Sequence, residues 1–181
     1  MSGTTPRGRV YVDETKAKGY VLVAGVMLPE DTTRLSKEVR GLIAPGQSRI
    51  HMKAEKTPRQ KLILSTLVRL DVSAVIYEAD SRLYSTDIAR RRACLERLVH
   101  DIAATCGQLV LESDVTQDPR DRRDLIDFTR AAGCRDTLTY EHMTATVEPL
   151  LAIPDAIAWA WARGGDWRRR IDPIVERVVR V

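Results

Sequence analysis

Three acidic side chains of this chain have the type and setting expected of metal ligands. Asp13 ends one apolar, strand-like segment, Glu112 ends another, and Asp155 is the only acid in the apolar stretch 150–162. A carboxylate beside an apolar core costs several kcal/mol unless it is solvated, paired with a cation or bound to a metal. Carboxylate oxygens are the ligands that Mg²⁺ or Mn²⁺ requires, and two such ions about 3.5–4 Å apart promote phosphodiester hydrolysis. The residues therefore predict a hydrolytic metal site.

The elements that must hold these acids alternate between strands and helices, which predicts an α/β domain with a mixed sheet. Strands are predicted at residues 10–14, 20–26, 71–77, 108–114 and 137–141. Helices are predicted at residues 32–44, 57–70 and 85–105, from 118 onward, and from 149 onward through the closing segment 175–181. Acids then follow two strands at the carboxyl end of the sheet, where open α/β sheets usually bind ligands.

Each acid also has a simpler interpretation. Asp13 and Glu14 could open a solvated turn, and Asp155 could cap a helix that begins after Pro154. Within a helix, however, Asp155 shares a side with apolar residues three and four positions away, which directs it toward the core. The charged stretch 118–124 is interpreted as a solvated helix start.

Length and composition indicate one compact domain. The chain has 181 residues, of which 44% are hydrophobic, and this predicts a single domain spanning residues 1–181. No apolar run reaches about 18 residues, and Met1–Gly8 lacks the apolar middle of a secretory signal, so a cytoplasmic protein without a membrane partner is expected. Cys94, Cys106 and Cys134 are odd in number and widely spaced, which favours core thiols over disulfides or a zinc site.

The charge pattern permits a nucleic-acid partner. The formal net charge is +4 with 29 Lys and Arg residues, and the planar arginine fork matches phosphate geometry. The run 168–170 after Trp167 could follow a phosphate backbone, although such runs are usually solvated helix faces. Trp159 is assigned to the core, and His100 and His142 are assigned structural roles.

Several of these segments, taken in order, resemble the domain-of-unknown-function family numbered 3800. The segments are residues 11–14, Ile50-His51, the strand ending in Glu112 or Asp114, and residues 150–160. That family is similar to ribonuclease-H-like folds. The resemblance implies a mixed sheet flanked by helices, with the first three strands antiparallel and the later strands parallel. It also implies that acids from the first strand, a later strand and a late helix bind divalent metal.

The resemblance assigns roles at the matching positions. It makes Asp13 the metal-bridging acid, with Glu112 or Asp114 on the later strand and Asp155 on the late helix. Glu14 is implied as a supporting metal ligand.

His51 also occupies a family position, where a histidine could orient phosphate, bind metal or transfer a proton near neutral pH. The chain departs from the family pattern at two points. Thr15-Lys16 replaces small residues or glycine, and Pro154 replaces a common alanine. Proline at this position is expected to remove one helical hydrogen bond and to kink the helix.

The favoured hypothesis is a divalent-metal-dependent phosphodiesterase, a nuclease, that acts on nucleic acid. Asp13, Glu112 and Asp155 would bind Mg²⁺ or Mn²⁺, His51 would act in catalysis, and a metal-bound water would be the nucleophile. Two alternatives stay open: a catalytically inactive interaction module with the same fold, and a metal-dependent hydrolase of a small phosphoester. No oligomeric state is predicted.

Overall fold

Six strands form the central sheet of this protein, for which a computed structural model describes residues 7–181. The strands are β1 (Gly8–Thr15), β2 (Tyr20–Met27), β3 (Ser73–Ala79), β4 (Cys106–Glu112), β5 (Thr139–Met143) and β6 (Val175–Arg180). Their order in the sheet is β5-β4-β1-β2-β3-β6. The β1–β2 and β2–β3 pairs are antiparallel, whereas β4, β5 and β6 run parallel to their neighbours. The predicted α/β class and mixed sheet, with the first three strands antiparallel, are confirmed.

Helices cover both faces of this sheet. They are α1 (Thr32–Gly41), α2 (Thr57–Arg69), α3 (Asp87–Ile102), α4 (Asp118–Ala131), α5 (Ala152–Arg163) and α6 (Gly165–Arg169). Short 3₁₀ helices occur at Pro29–Asp31, Met52–Ala54, Pro149–Leu151 and Asp172–Ile174. Side chains from α1, α2 and α5 pack on the first face, and side chains from α3 and α4 pack on the second. Two of these helices begin with residues that favour a helix N-terminus. The Thr86 hydroxyl accepts the Ala89 N–H at 3.1 Å at the start of α3, and Pro58 lies in the first turn of α2.

Alternation along β1 decides where its two acids point. Tyr11 belongs to the core of the first face, and Val10 and Val12 belong to the core of the second face. Because side chains alternate along a strand, Asp13 shares the first face with α5, and Glu14 shares the second face with α3 and α4.

The neighbouring strands fix the position of Asp13 in the sheet. Asp13 is paired with Val23 in the β1–β2 register, and the turn between these strands uses Gly19, whose φ of +87° suits glycine. On the other side, Val12 is paired with Leu111 in the parallel β1–β4 register. Glu112, the next residue of β4, therefore ends its strand beside Asp13.

Two predicted elements are wrong. The closing segment is strand β6 rather than a helix, because Val175–Arg180 pairs with the otherwise open edge of β3 and buries Val179. The helix predicted at residues 85–105 ends earlier than expected, because α3 stops at Ile102 and β4 already begins at Cys106.

None of the helices within residues 7–181 combines the length and apolarity needed to cross a membrane. Residues 1–6, which make up most of the segment interpreted as lacking a secretory signal, lie outside the described residues.

Candidate metal centre

A cleft of about 510 Å³ opens where β1 and β4 end, beside the first turn of α5. Asp13 from β1, Glu112 from β4 and Asp155 from α5 all line this cleft. His51 and Arg49 line it from the loop that precedes α2. The fold thus brings all six predicted site residues to one cleft, since Glu14 and Asp114 also line it, although the six come from four separate segments.

Asp13 carries the strongest electrostatic signature of the cleft. Its Oδ1 accepts a hydrogen bond from the backbone N–H of Glu14 at 2.7 Å. Burial raises the pKa of Asp13 well above its ordinary value, and the neighbouring charges of Asp155 and Glu112 raise this pKa further. The charges of two further carboxylates therefore act on Asp13, and a cation among the three acids would relieve this repulsion.

Glu112 is partly compensated by an arginine. Arg49 donates from Nη1 to Glu112 Oε1 at 2.8 Å. Burial raises the pKa of Glu112, the Arg49 guanidinium opposes that rise, and Asp155 adds to it. Arg49 is itself more than one third exposed, so its guanidinium lies at the mouth of the cleft, within reach of solvent.

Asp155 is held by the loop that precedes α2. The backbone N–H of Met52 donates to Asp155 Oδ2 at 3.0 Å, and His51 Nδ1 lies 3.8 Å from Asp155 Oδ1. Burial raises the pKa of Asp155, while the Met52 N–H, His51 and Arg49 oppose the rise. The loop thus fixes one carboxylate oxygen of Asp155 through its backbone and places an imidazole beside the other.

Pro154 does not disturb this arrangement. Helix α5 begins at Ala152, so Pro154 lies in the first turn, where a backbone N–H has no intrahelical acceptor. The expected loss of a hydrogen bond therefore does not arise. Asp155 is not a helix cap either, because Leu151 occupies the cap position and Asp155 lies inside the first turn.

The spacing of the three acids bears on how many ions they could hold. Within residues 7–181, the carboxylate oxygens of Asp13, Glu112 and Asp155 do not form a set in which all three lie within 4.8 Å of one another. Two ligands of one Mg²⁺ are at most about 4.2 Å apart, because each lies about 2.1 Å from the ion. In a two-ion site, Asp13 would bridge both ions, and Glu112 and Asp155 would each bind one. The three acids, as they stand, therefore do not fit one ion shared by all of them.

Glu14 lines the edge of the cleft, but its carboxylate is engaged on the second face of the sheet. It accepts hydrogen bonds from the Tyr20 hydroxyl and the Arg91 guanidinium, and Lys16 Nζ lies 3.1 Å from its Oε1. The predicted metal role of Glu14 would require breaking these contacts, so its geometry fits a positioning role at the end of β1.

Asp114 also lines the cleft, two residues beyond the end of β4. Its Oδ1 accepts the Thr116 hydroxyl at 2.7 Å and the Thr116 N–H at 2.9 Å, and these bonds lower its pKa. Of the two predicted acids on this strand, Glu112 is the one whose charge acts on Asp13.

A second group of ionisable residues was not predicted. Asp118, Asp121 and His142 place ligand atoms within 4.8 Å of one another on the second face, with His142 Nε2 3.0 Å from Asp121 Oδ2. Such a group could hold a metal ion. Arg91, however, already donates to both oxygens of Asp121, at 2.9 Å and 2.7 Å. Burial would raise the pKa of Asp121, but the bonds from Arg91 and His142 lower it.

The interpretation of 118–124 as a solvated helix start is therefore wrong for two of its acids. Asp118 and Asp121 are buried, and they share one face of α4 with Leu125 and Phe128. The spacing 118, 121, 125 and 128 is the apolar-face pattern of a helix, and this signal in the sequence could have identified them as buried.

Comparison of the sequence with models of known protein families gives no match. Comparison with curated proteins finds no similar sequence either. The resemblance to family 3800 and to ribonuclease-H-like folds stays a prediction, and the site is judged on its own geometry.

Proposed function

We propose that this protein is a divalent-metal-dependent phosphodiesterase that acts on nucleic acid. One observation carries the proposal: acids from β1, β4 and α5 line a single cleft, where burial and then the charges of Asp155 and Glu112 raise the pKa of Asp13. Clusters of perturbed carboxylates in a cleft are typical of functional sites. The sheet order and the positions of these acids also agree with the ribonuclease-H-like arrangement that the resemblance implies, and we infer a cytoplasmic protein of that class.

The donor set suits Mg²⁺ or Mn²⁺. Asp13, Glu112 and Asp155 offer hard oxygen ligands and no sulfur, and the cleft has room for ions, water and a phosphate group. Two ions held here would polarise the phosphodiester and supply an activated water. The charges of both Asp155 and Glu112 act on Asp13, which suits it to bridge the ions.

The basic residues of the cleft would serve the substrate. The Arg49 guanidinium is bonded to Glu112 and is exposed enough to turn toward a phosphate oxygen. The His51 side chain is 45% exposed and lies beside Asp155, so its imidazole can reach both the acids and a bound substrate. His51 is thus placed to orient a phosphate or to transfer a proton.

Calorimetric titration with Mn²⁺ tests the metal site. Micromolar binding is expected for the wild type, and its loss is expected in Asp13→Asn and Asp155→Asn. The matched control is Asp127→Asn, because Asp127 is an exposed aspartate of α4 that does not line the cleft. Absence of binding in the wild type would favour the inactive interaction module.

Cleavage assays test the reaction. Single- and double-stranded DNA and RNA are incubated with Mg²⁺, Mn²⁺ or EDTA, beside nucleotides and small phosphoesters. We expect metal-dependent cleavage of oligonucleotides that Asp13→Asn abolishes and Asp127→Asn preserves. Turnover of small phosphoesters alone would identify the small-substrate hydrolase, and undiminished cleavage by a folded Asp13→Asn protein would refute the proposed site.

A further inference from the structure

A second cleft, of about 750 Å³, continues from the metal centre along α5. The two clefts share Glu14, His51 and Asp155, so they form one continuous surface. We propose that this second cleft, here called the α5 groove, binds a single strand of nucleic acid and leads it to the acids. The link to cleavage rests on the proposed function, but binding in the groove can be tested without it.

One face of α5 forms the floor of the α5 groove. Asp155, Ala158, Trp159, Ala162 and Arg163 line it, at the spacing of three and four residues that defines one side of a helix. The two alanines leave space above the helix where larger side chains would fill it. At 1.5 Å per residue, this floor extends about 12 Å from Asp155 to Arg163. The groove is therefore an elongated extension of the metal centre.

Positive charges line the walls of the α5 groove. Lys16 and Lys18 project from the turn between β1 and β2, Lys53 comes from the loop before α2, and Arg163 ends α5. All four are exposed. Lys16 is paired with Glu14, whereas Lys18, Lys53 and Arg163 form no ion pair within residues 7–181. Unmatched cations beside a cluster of acids favour an extended anion that enters the cleft, such as a phosphate backbone.

Trp159 gives the α5 groove an aromatic surface. The assignment of Trp159 to the core is confirmed only in part, because its ring packs against the core but is itself only partly buried. The Trp167 ring packs edge-on against it with 4.9 Å between the ring centroids, and the Arg163 guanidinium lies 5.8 Å from the Trp159 centroid. An aromatic ring beside backbone-tracking cations is the combination that single-strand binding proteins use, because an unpaired base can stack on the ring. A base held inside a duplex cannot reach such a ring, so the groove favours a single strand.

Fluorescence anisotropy with a labelled oligothymidine or oligouridine tests the charge of the groove. The measurements use Asp13→Asn protein, so that no probe is cleaved. In this background, Lys18→Glu with Lys53→Glu should weaken binding at least tenfold. The salt slope of log Kd should fall by about 1.4, because each of two lost phosphate contacts contributes about 0.7 for a single strand.

The control is Lys37→Glu with Lys61→Glu, which makes the same charge change on α1 and α2, outside the α5 groove. It should change the affinity less than twofold. Equal loss of binding in both double variants, or no loss in either, would overturn the proposal.

The aromatic contribution is tested separately at Trp159. Trp159→Leu should weaken oligonucleotide binding about tenfold, and Trp159→Phe should retain most of the affinity, because a base can still stack on phenylalanine but not on leucine. Thermal melting of both variants identifies any loss of folding. Equal affinities for the two variants, or tighter binding of the same sequence as a duplex, would refute single-strand binding in the groove.

These outcomes are separate from those of the cleavage assay. If binding depends on the groove residues but no metal-dependent cleavage occurs, the α5 groove is supported and the nuclease proposal is rejected. If cleavage does not change in variants of Lys18, Lys53 and Trp159, only the groove proposal is rejected.

Discussion

Replacing Asp13 with asparagine should stabilise the protein without metal and make it less stable than the wild type with metal. The pKa of Asp13 is raised by burial and then by Asp155 and Glu112. A carboxyl group whose pKa is higher in the folded state destabilises the fold at every pH above its unfolded value, because the unfolded state loses the proton more easily. Near neutral pH, asparagine removes this cost while keeping the shape of the side chain.

The expected sizes of the two effects are large enough to measure. Removing the unfavourable charge should add about 1 kcal/mol, within the range found when residues that reduce stability at functional sites are replaced. For a chain of this length that corresponds to about 2–4 °C in Tm. If Mn²⁺ binds with a Kd of about 10 μM, 1 mM Mn²⁺ stabilises the wild type by about 2.7 kcal/mol, or about 5–11 °C.

Thermal melts of wild type, Asp13→Asn and Asp127→Asn, each in EDTA and in 1 mM Mn²⁺, provide the assay. The order of Tm between the wild type and Asp13→Asn should reverse when Mn²⁺ is added, whereas Asp127→Asn should follow the wild type in both conditions. An equal Mn²⁺ shift in Asp13→Asn would place the ion elsewhere. A lower Tm of Asp13→Asn in EDTA would show that Asp13 is not under repulsion, and the electrostatic reasoning would fail.

Two further predictions concern pH and the second face of the sheet. Affinity for Mn²⁺ should increase from pH 6 to pH 8. The raised pKa values of Asp13, Glu112 and Asp155 let protons compete with the metal at the lower pH. Titration calorimetry measures the affinity, and an affinity that does not change across this range would contradict the prediction. Arg91→Met should lower the free energy of unfolding by about 3–5 kcal/mol, because it leaves the buried carboxylate of Asp121 without its bidentate partner. Urea unfolding measures this loss, and a value under about 1 kcal/mol would mean that His142 alone compensates Asp121.

Much of the candidate site could be predicted because its positions depend on local patterns. Asp13 and Glu112 each follow a short, continuous apolar run that is typical of a buried strand, so the strands and their ends could be inferred from neighbouring residues alone. The amphipathic pattern around Asp155 likewise placed it on the buried side of a helix. The loop residue His51 carried no such pattern; its polar loop setting left its role open, and the resemblance strengthened the prediction.

The errors concern contacts between distant parts of the chain. Strand β6 pairs with β3, which lies about a hundred residues earlier in sequence, and a short segment of valines and charges does not reveal its partner. The ion pairs of Asp121 could not be predicted for the same reason, since Arg91 comes from α3 and His142 from β5. A charge in a sequence is read as solvated by default, and only the fold shows which charges have buried partners.

The acids on the two faces of the sheet have opposite electrostatic environments. On the second face, the carboxylates of Glu14 and Asp121 are both paired with Arg91, with Tyr20 and His142 completing their hydrogen bonds. On the first face, Asp13 receives one backbone N–H and otherwise faces further carboxylates. In a fold selected only for stability, both acids at the end of β1 should have cationic partners, whereas here Glu14 is paired and Asp13 is repelled by other carboxylates. The hydrogen bonds and ion pairs of Glu14 anchor the residue next to Asp13, and a cation beside Asp13 would offset the repulsion of its carboxylate.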